Sequence, residues 1–201
     1  MTNEQYYELI RPYEDAMQLM LTRLEVLNHN IYDRTSQESR PMHHMQHRVK
    51  EKKSIEDKLE RLGVTDSVMN AKDHLMDIGG IRVICYFQKE VYELVESLKR
   101  QNDLILIKEK DYMKNPKESG YRSYHISLGV PLHTLDAMEY YPVEVQFRTL
   151  SMDFWSSMEH RICYKKDRDD KNQLSKQLEA LSDSLAMIEN ELKQYVKDDR
   201  N

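Results

Sequence analysis

The hydrophobic period of this chain changes twice, and the change restricts the folds open to it. Near the N-terminus Tyr13, Met17, Met20, Leu24, Leu27 and Ile31 recur at alternating steps of four and three, the a/d seam of a helix. Leu174, Leu178, Leu181, Leu185, Ile188, Leu192 and Tyr195 repeat that pattern at the other end. Between the two seams the period falls to two. Val143, Val145 and Phe147 alternate with Glu144, Gln146 and Arg148, and Tyr124, Ile126, Leu128 and Val130 alternate with Tyr121, Ser123, His125 and Ser127. Side chains on a strand change face at every residue, so each run has one apolar and one polar face.

The seams and turn residues divide the chain further. The first thirty residues read as a helix, which Pro12 tolerates early but would kink in its interior. The polar stretch from Asp33 to Pro41 breaks the pattern. A second helix is expected from about His44 to Leu62, closed by Gly63. Strands are expected over Ile81–Phe87, Leu104–Lys110, Ser123–Val130 and Tyr141–Arg148, with a short amphipathic helix over Glu90–Gln101. Asp111–Ser119, with Asn115-Pro116, reads as a mobile loop. Thr149 is a candidate N-cap for a helix carrying Met152, Trp155, Met158, Glu159 and Ile162. The sum is an α/β chain of the α+β kind: a mixed sheet flanked by helices, with long helices at both ends. The terminal seams imply helix-on-helix packing within the chain or between subunits. Self-association is the preferred reading, since a monomer would need its core to cover both stripes.

At 201 residues, 32% charged and 39% hydrophobic, the chain can bury a real core. It contains no apolar run long enough to span a membrane and no basic-then-apolar leader. Cys85 and Cys163 form no spaced pair, so neither a disulfide framework nor a zinc site is indicated. A cytoplasmic protein is expected. The net charge of −5 argues against bulk coating of nucleic acid. Locally the balance differs: Arg48, Lys50, Lys52, Lys53 and Lys58 form one basic block, and Lys108, Lys110, Lys114 and Lys117 another. Such runs are commonly solvated helix faces, but they also suit a phosphate-rich small ligand.

If the two period-two strands are neighbours, Glu144, Gln146, Arg148, His125 and Tyr121 share one surface. Either strand alone also fits a solvated face of an antiparallel sheet. Gly79 and Gly80 lie between Asp77 and Arg82, where the chain turns into the first strand, and Gly120 precedes Tyr121. Glycine lets a ligand approach the backbone closely. Asp77 and Arg82 are otherwise a capping carboxylate and a surface guanidinium. Paired carboxylates with cations around them are what a Mg²⁺–polyphosphate site needs, and Tyr121 offers a ring for base stacking. His43, His44 and His47 cluster, but no carboxylate or cysteine partner for a metal is evident.

The segments HRVKEKKSIEDKL, DIGGIRVICYF, KESGYRSYH and VEVQFRTLSMDFWSSMEH, in this order, resemble the small alarmone synthetases of the RelA/SpoT homologue family. The resemblance spans about residues 4 to 195. It implies a nucleotidyltransferase-like synthetase fold in one domain over residues 1–201, with an N-terminal helix over 1–32, a catalytic core over 44–165 and a C-terminal helix over 171–198. It implies Mg²⁺-dependent transfer of the β,γ-pyrophosphate of ATP to the ribose 3′-OH of GDP or GTP, with AMP leaving. No segment fits the family's hydrolase domain. Asp77 and Glu144 match the magnesium carboxylates, and Glu144 the base. Arg48 and Arg82 match the pair around adenine, while Ser54, Lys58 and Lys110 match donor-phosphate positions. Tyr121 is similar to the guanine-stacking tyrosine, Lys117, His125 and Gln146 to acceptor contacts, and Asp153 to the residue reading the guanine edge. Arg122 and Arg148 lie in the motifs without a defined ligand.

The RelQ-like members, ring-shaped homotetramers that bind alarmone in a central cleft, carry two lysines on the first helix and a Phe-x-Thr before the basic block. Here Leu21 to Glu25 and His44-Met45-Gln46 occupy those stretches. That implies a RelP-like enzyme without alarmone activation, and a homotetramer held through its terminal helices. The enzymatic rival is a nucleotidyltransferase, which holds two metals by an Asp-x-Asp that Asp77 lacks. A module binding RNA through the basic block is the non-enzymatic rival, though nothing specific indicates RNA.

Overall fold

The structure is a computed structural model describing residues 1–30, 40–163 and 171–196. Ile31, most of the expected polar break, residues 164–165 of the expected core and 197–198 of the last helix lie outside the described residues. The elements run α1 (Asn3–Asn30), β1 (Met42–Val49), α2 (Lys52–Arg61), α3 (Val68–His74), β2 (Gly79–Cys85), α4 (Gln88–Lys99), β3 (Ile105–Asp111), β4 (Tyr124–His133), β5 (Met138–Thr149), α5 (Leu150–Cys163) and α6 (Lys171–Lys193). Five strands form one mixed sheet in the order β1-β2-β5-β4-β3. The β2–β5 pair is parallel and the others antiparallel.

The α1 helix starts at a reciprocal cap. Thr2 Oγ1 accepts from the Gln5 amide, and the Gln5 side chain accepts from the Thr2 amide, which satisfies two of the free donors at a helix start. Pro12 lies inside the helix without ending it. The stripe Leu9, Tyr13, Met17, Met20 and Leu24 is buried against the apolar face of the sheet, in one core with Ile81, Val83, Ile126, Leu128, Val143, Val145 and Phe147. At Gly79 the helix backbone comes close to the strand, with the Tyr13 carbonyl oxygen 3.4 Å from where a Cβ would stand. The first seam is therefore core within the chain, not a surface awaiting a second subunit. A sheet face offers a long helix more apolar area than a seam on another helix.

The expected helix from His44 to Leu62 is instead a strand followed by a shorter helix. Residues 42–49 pair antiparallel with β2, from Met42 beside Cys85 to Val49 beside Gly79. The helical stripe in this stretch is only Ile55 and Leu59, both fully buried and both on α2. Upstream of them Met42, Met45 and Val49 recur at steps of three and four, but the open main-chain edge of β2 recruits the segment as a strand. Gly63 does follow the helix as expected, at φ +72, where a residue with a side chain is strained.

The last helix packs differently from its leucine repeat. Leu178 is buried, but Leu181, Ile188, Leu192 and Tyr195 are 57%, 51%, 55% and 77% exposed. Ser182 and Glu189 take the inward positions instead, at 4% and 7% exposure.

Candidate active site

The polar face of the sheet forms in rows across the strands. One row runs Gln46, Arg82, Gln146, His125 and Lys110; the next runs Arg48, Gly80, Glu144 and Ser127. Because Gly80 has no side chain, the floor between Arg48 and Glu144 stays open, and a Cβ there would meet only the Arg48 carbonyl, at 3.8 Å. A cavity of about 250 Å³ occupies this place, lined among others by Arg48, Lys50, Asp77, Arg82, Glu144 and Gln146. A second hollow of about 440 Å³ shares Arg48 and Lys50 and includes Ser54 and Arg61.

Asp77 lies in the turn that enters β2, and Glu144 in the middle of β5. The parallel β2–β5 pairing brings them to the same cavity despite their separation in sequence. Two lysines hold Asp77: Lys50 Nζ donates to Oδ2 at 2.6 Å, and Lys58 Nζ stands 2.8 Å from Oδ1. The Lys58 contact is an ion pair without hydrogen-bond geometry, so Oδ1, though buried, keeps an unused acceptor site. Burial pushes the Asp77 carboxyl up, but the two lysines outweigh it and hold the group below its usual range. Lys50 was not singled out from the sequence. In a helix Arg48 and Lys50 point apart, whereas in the extended chain found here residues two apart share a face.

Glu144 faces Gln146 and His125. Gln146 Nε2 donates to its Oε2 at 2.8 Å, and His125 Nδ1 stands 3.5 Å from Oε1. Burial raises this carboxyl and Asp77 adds to the rise, yet His125 and Gln146 lower it further than that. On the other side of the imidazole, Tyr121 Oη lies 2.8 Å from Nε2. The phenol oxygen also accepts from Ser123 Oγ at 3.0 Å and from an Arg148 Nη at 3.1 Å. With both acceptor sites used, the single phenol proton goes to Nε2, so Nδ1 carries the ring proton facing Glu144.

Around Tyr121 the remaining residues collect. Lys117 Nζ lies 4.9 Å from its ring centroid and Arg148 Cζ 5.4 Å, both within cation–π range. Tyr112, which sequence reasoning missed, meets Tyr121 and His125 edge to face at 5.9 and 5.4 Å. Asp153 sits between two guanidinium groups, 2.9 Å from Arg148 and 3.7 Å from Arg82. Arg82 itself is shifted down, first by burial and then by Arg148. Lys110 is exposed on the edge strand, over Tyr112 at 5.7 Å rather than in the cavity. Ser54 faces the second hollow and not the carboxylates. Arg122 points away to α6, pairing with Asp183 at 2.6 Å.

Among the described residues no set of three or more His, Cys, Asp or Glu converges as a metal cage. His43 and His44, among the described residues, meet each other, Gln46 and Tyr86. Two carboxylates at one cavity fit an ion that keeps most of its waters and takes phosphate oxygens for the rest.

Hard oxygens and flanking cations gather at one cavity, a donor set whose chemistry suits a polyphosphate. Comparison with known proteins narrows the class. The region found in RelA / SpoT proteins matches residues 47–169. The GTP pyrophosphokinase YwaC of Bacillus subtilis (strain 168) is 42% identical over 138 residues, which cover 69% of this chain and 66% of YwaC. The structure of small alarmone synthetase 1 from Bacillus subtilis bound to its product pppGpp superposes with TM-score 0.83 at 27% identity, covering 96% of both chains. That of small alarmone synthetase 2 from the same organism does so with TM-score 0.79 at 32% identity, covering 96% of this chain and all of the other. The chain belongs to the RelA/SpoT family, as a small alarmone synthetase of the GTP pyrophosphokinase class.

Proposed function

We propose that this enzyme transfers the β,γ-pyrophosphate of ATP to the 3′-oxygen of GDP or GTP, giving ppGpp or pppGpp and AMP. The observation that carries this reading is the meeting of Asp77 and Glu144 at one cavity, with His125 3.5 Å from Glu144 and Tyr121 2.8 Å behind His125. Arg48 and Arg82 flank the donor base, Lys50 and Lys58 take donor phosphates beside Asp77, and Ser54 and Lys110 meet the donor from the adjoining hollow and the sheet edge. Tyr121 stacks on guanine; Lys117, His125, Gln146 and Asp153 orient the acceptor. Glu144 takes the proton from the ribose 3′-OH as that oxygen bonds to the β-phosphorus and the bridge to the α-phosphate breaks. His125 holds the Glu144 carboxylate in place through the proton on Nδ1. Asp77 and Glu144 would hold Mg²⁺, which supplies charge neutralisation for the phosphate oxygens when bound. Catalysis then rests on positioning and electrostatics, as phosphoryl-type transfer generally does.

The finer assignments follow the same reading. The enzyme is RelP-like, cytoplasmic and without hydrolase activity, and it assembles as a homotetramer. Exposed Leu181, Ile188 and Leu192 on α6, with Tyr195 just beyond its end, supply apolar area for subunit contact. Among the described residues no helix is long and apolar enough to cross a membrane.

Incubation with ATP, Mg²⁺ and GDP, GTP or GMP in competition tests the proposal. AMP and a 3′-pyrophosphorylated guanine nucleotide are expected. Free pyrophosphate with a nucleotidylated product would assign the rival nucleotidyl transfer instead.

A further inference from the structure

The C-terminal helix grips the two segments that carry the acceptor side of the site. Gly120 has φ +88, and its backbone is pressed against α6 so closely that a Cβ would lie 2.8 Å from Glu179 Cα and 3.0 Å from Ser182 Cβ. Ser182 Oγ donates to the Gly120 carbonyl at 2.6 Å. The same hydroxyl oxygen accepts from Arg122 Nε at 3.3 Å, and Asp183 pairs with the end of that guanidinium. Tyr121 is thus flanked on both sides by residues tied to α6. Two turns further on, Glu189 accepts from Thr149 Oγ1 at 2.5 Å and from Ser151, fixing the chain just after Arg148. Trp155 adds a third tie, its indole N–H donating to the Leu178 carbonyl at 2.8 Å.

These inward residues are costly choices for a helix that only needs to be buried. A hydroxyl and a carboxylate lose hydration on burial and gain little unless fully hydrogen-bonded. At position 189 an apolar side chain would be buried with less penalty, whereas at position 182 the close approach of Gly120 favours a small side chain and the hydroxyl adds the bond. What Ser182 and Glu189 do instead is hold backbone and side chains at Gly120 and Thr149, one residue from Tyr121 and one from Arg148. Those two side chains meet at the phenol oxygen that sets the His125 tautomer facing Glu144.

We propose that α6 is a positioning element for the acceptor half of the reaction, with Ser182 and Glu189 as its positioning residues. The helix touches neither carboxylate of the cavity. It acts through Gly120, Tyr121 and Arg148, so its loss is felt by the guanine nucleotide and not by ATP. This inference rests on the acceptor role proposed above for Tyr121.

The test separates donor from acceptor in the full-length enzyme. Ser182→Ala should raise KM for GDP about tenfold, the worth of one buried hydrogen bond, with KM for ATP unchanged. Ser182→Thr, which keeps the hydroxyl, should restore KM for GDP. Asp183→Asn, on an exposed side chain that cannot unfold the protein, should raise KM for GDP by a smaller factor. Amide exchange at residues 117–122 should quicken in Ser182→Ala before any change in Tm. Equal increases in both KM values alongside a fall in Tm, or no change in either, would overturn the proposal and leave α6 a stabilising helix. If the unaltered enzyme turns over ATP but uses no guanine acceptor, the acceptor assignment fails first, and the positioning role with it.

Discussion

Lys50 Nζ stands 2.6 Å from Asp77 Oδ2, closing on a carboxylate whose other oxygen already faces Lys58 at 2.8 Å. Without a nucleotide the lysines neutralise the group that would hold a cation. Donor phosphates would draw them away, so metal and donor should bind together better than either alone.

That competition is measurable with Mn²⁺ as a paramagnetic probe. Lys50→Met should bind Mn²⁺ without nucleotide about tenfold more tightly than the wild type, equivalent to ~1.4 kcal/mol. Equal affinities would show that Lys50 does not guard the site. Because the folded Asp77 carboxyl lies below its usual range, its contribution to stability is present above that range and is lost as pH falls through the folded value.

Glu144→Gln preserves the shape of the side chain and removes both its charge and its basicity. Turnover should fall more than ~100-fold, about 3 kcal/mol of barrier reduction. A single-turnover assay with ATP and GDP measures it, and a variant keeping half the activity would exclude the base role.

Glu90 reaches back to accept from the amides of Tyr86 and Phe87, each at 2.9 Å, at the start of α4. Burial pushes its carboxyl from 4.5 to about 7 against the pull of those two bonds, with Glu93 and Glu189 adding to the rise. A raised carboxyl binds its proton more tightly in the folded state, so stability falls as pH rises through this window. Between about pH 5 and about pH 7.5 the wild type should lose more stability than Glu90→Gln, which can still accept through its amide oxygen. Parallel denaturation curves for the two proteins at both pH values would refute this.

Met20 and Leu192 belong to the two seams and sit in opposite surroundings. Met20 is fully buried on the sheet, and Leu192 is 55% exposed. Met20→Ala should cost about 2–5 kcal/mol of unfolding free energy at any protein concentration. Leu192→Ala should change the stability of a dissociated chain by no more than about 0.5 kcal/mol. A larger, concentration-dependent loss for Leu192→Ala would mark it as subunit-interface area.

Much of this architecture is legible in residue order because it depends on local period. The alternation in β4 and β5 carries to their direct pairing, His125 beside Gln146 and Ser127 beside Glu144. The residues around β1 were misread for a physical reason. A strand at a sheet edge draws its stability from main-chain pairing with a neighbour, and His43, His44 and His47 carry no periodic apolar signal of that neighbour. The same error concealed Lys50, whose place beside Asp77 follows only once the backbone around Arg48 is extended.

Local order alone determined that long helices flank alternating strands, one with acid, amide and guanidinium on its polar side and the other with imidazole and phenol. Those features need only side-chain spacing and the geometry of a strand or helix. Tertiary structure decided which strand adjoins which, that the N-terminal seam is core, and that Ser182 and Glu189 rather than leucines turn inward. It also decided that Asp77 and Glu144 share a cavity. Such outcomes depend on which distant backbone edge or apolar face competes most strongly for a segment, and no window of neighbouring residues contains that competitor.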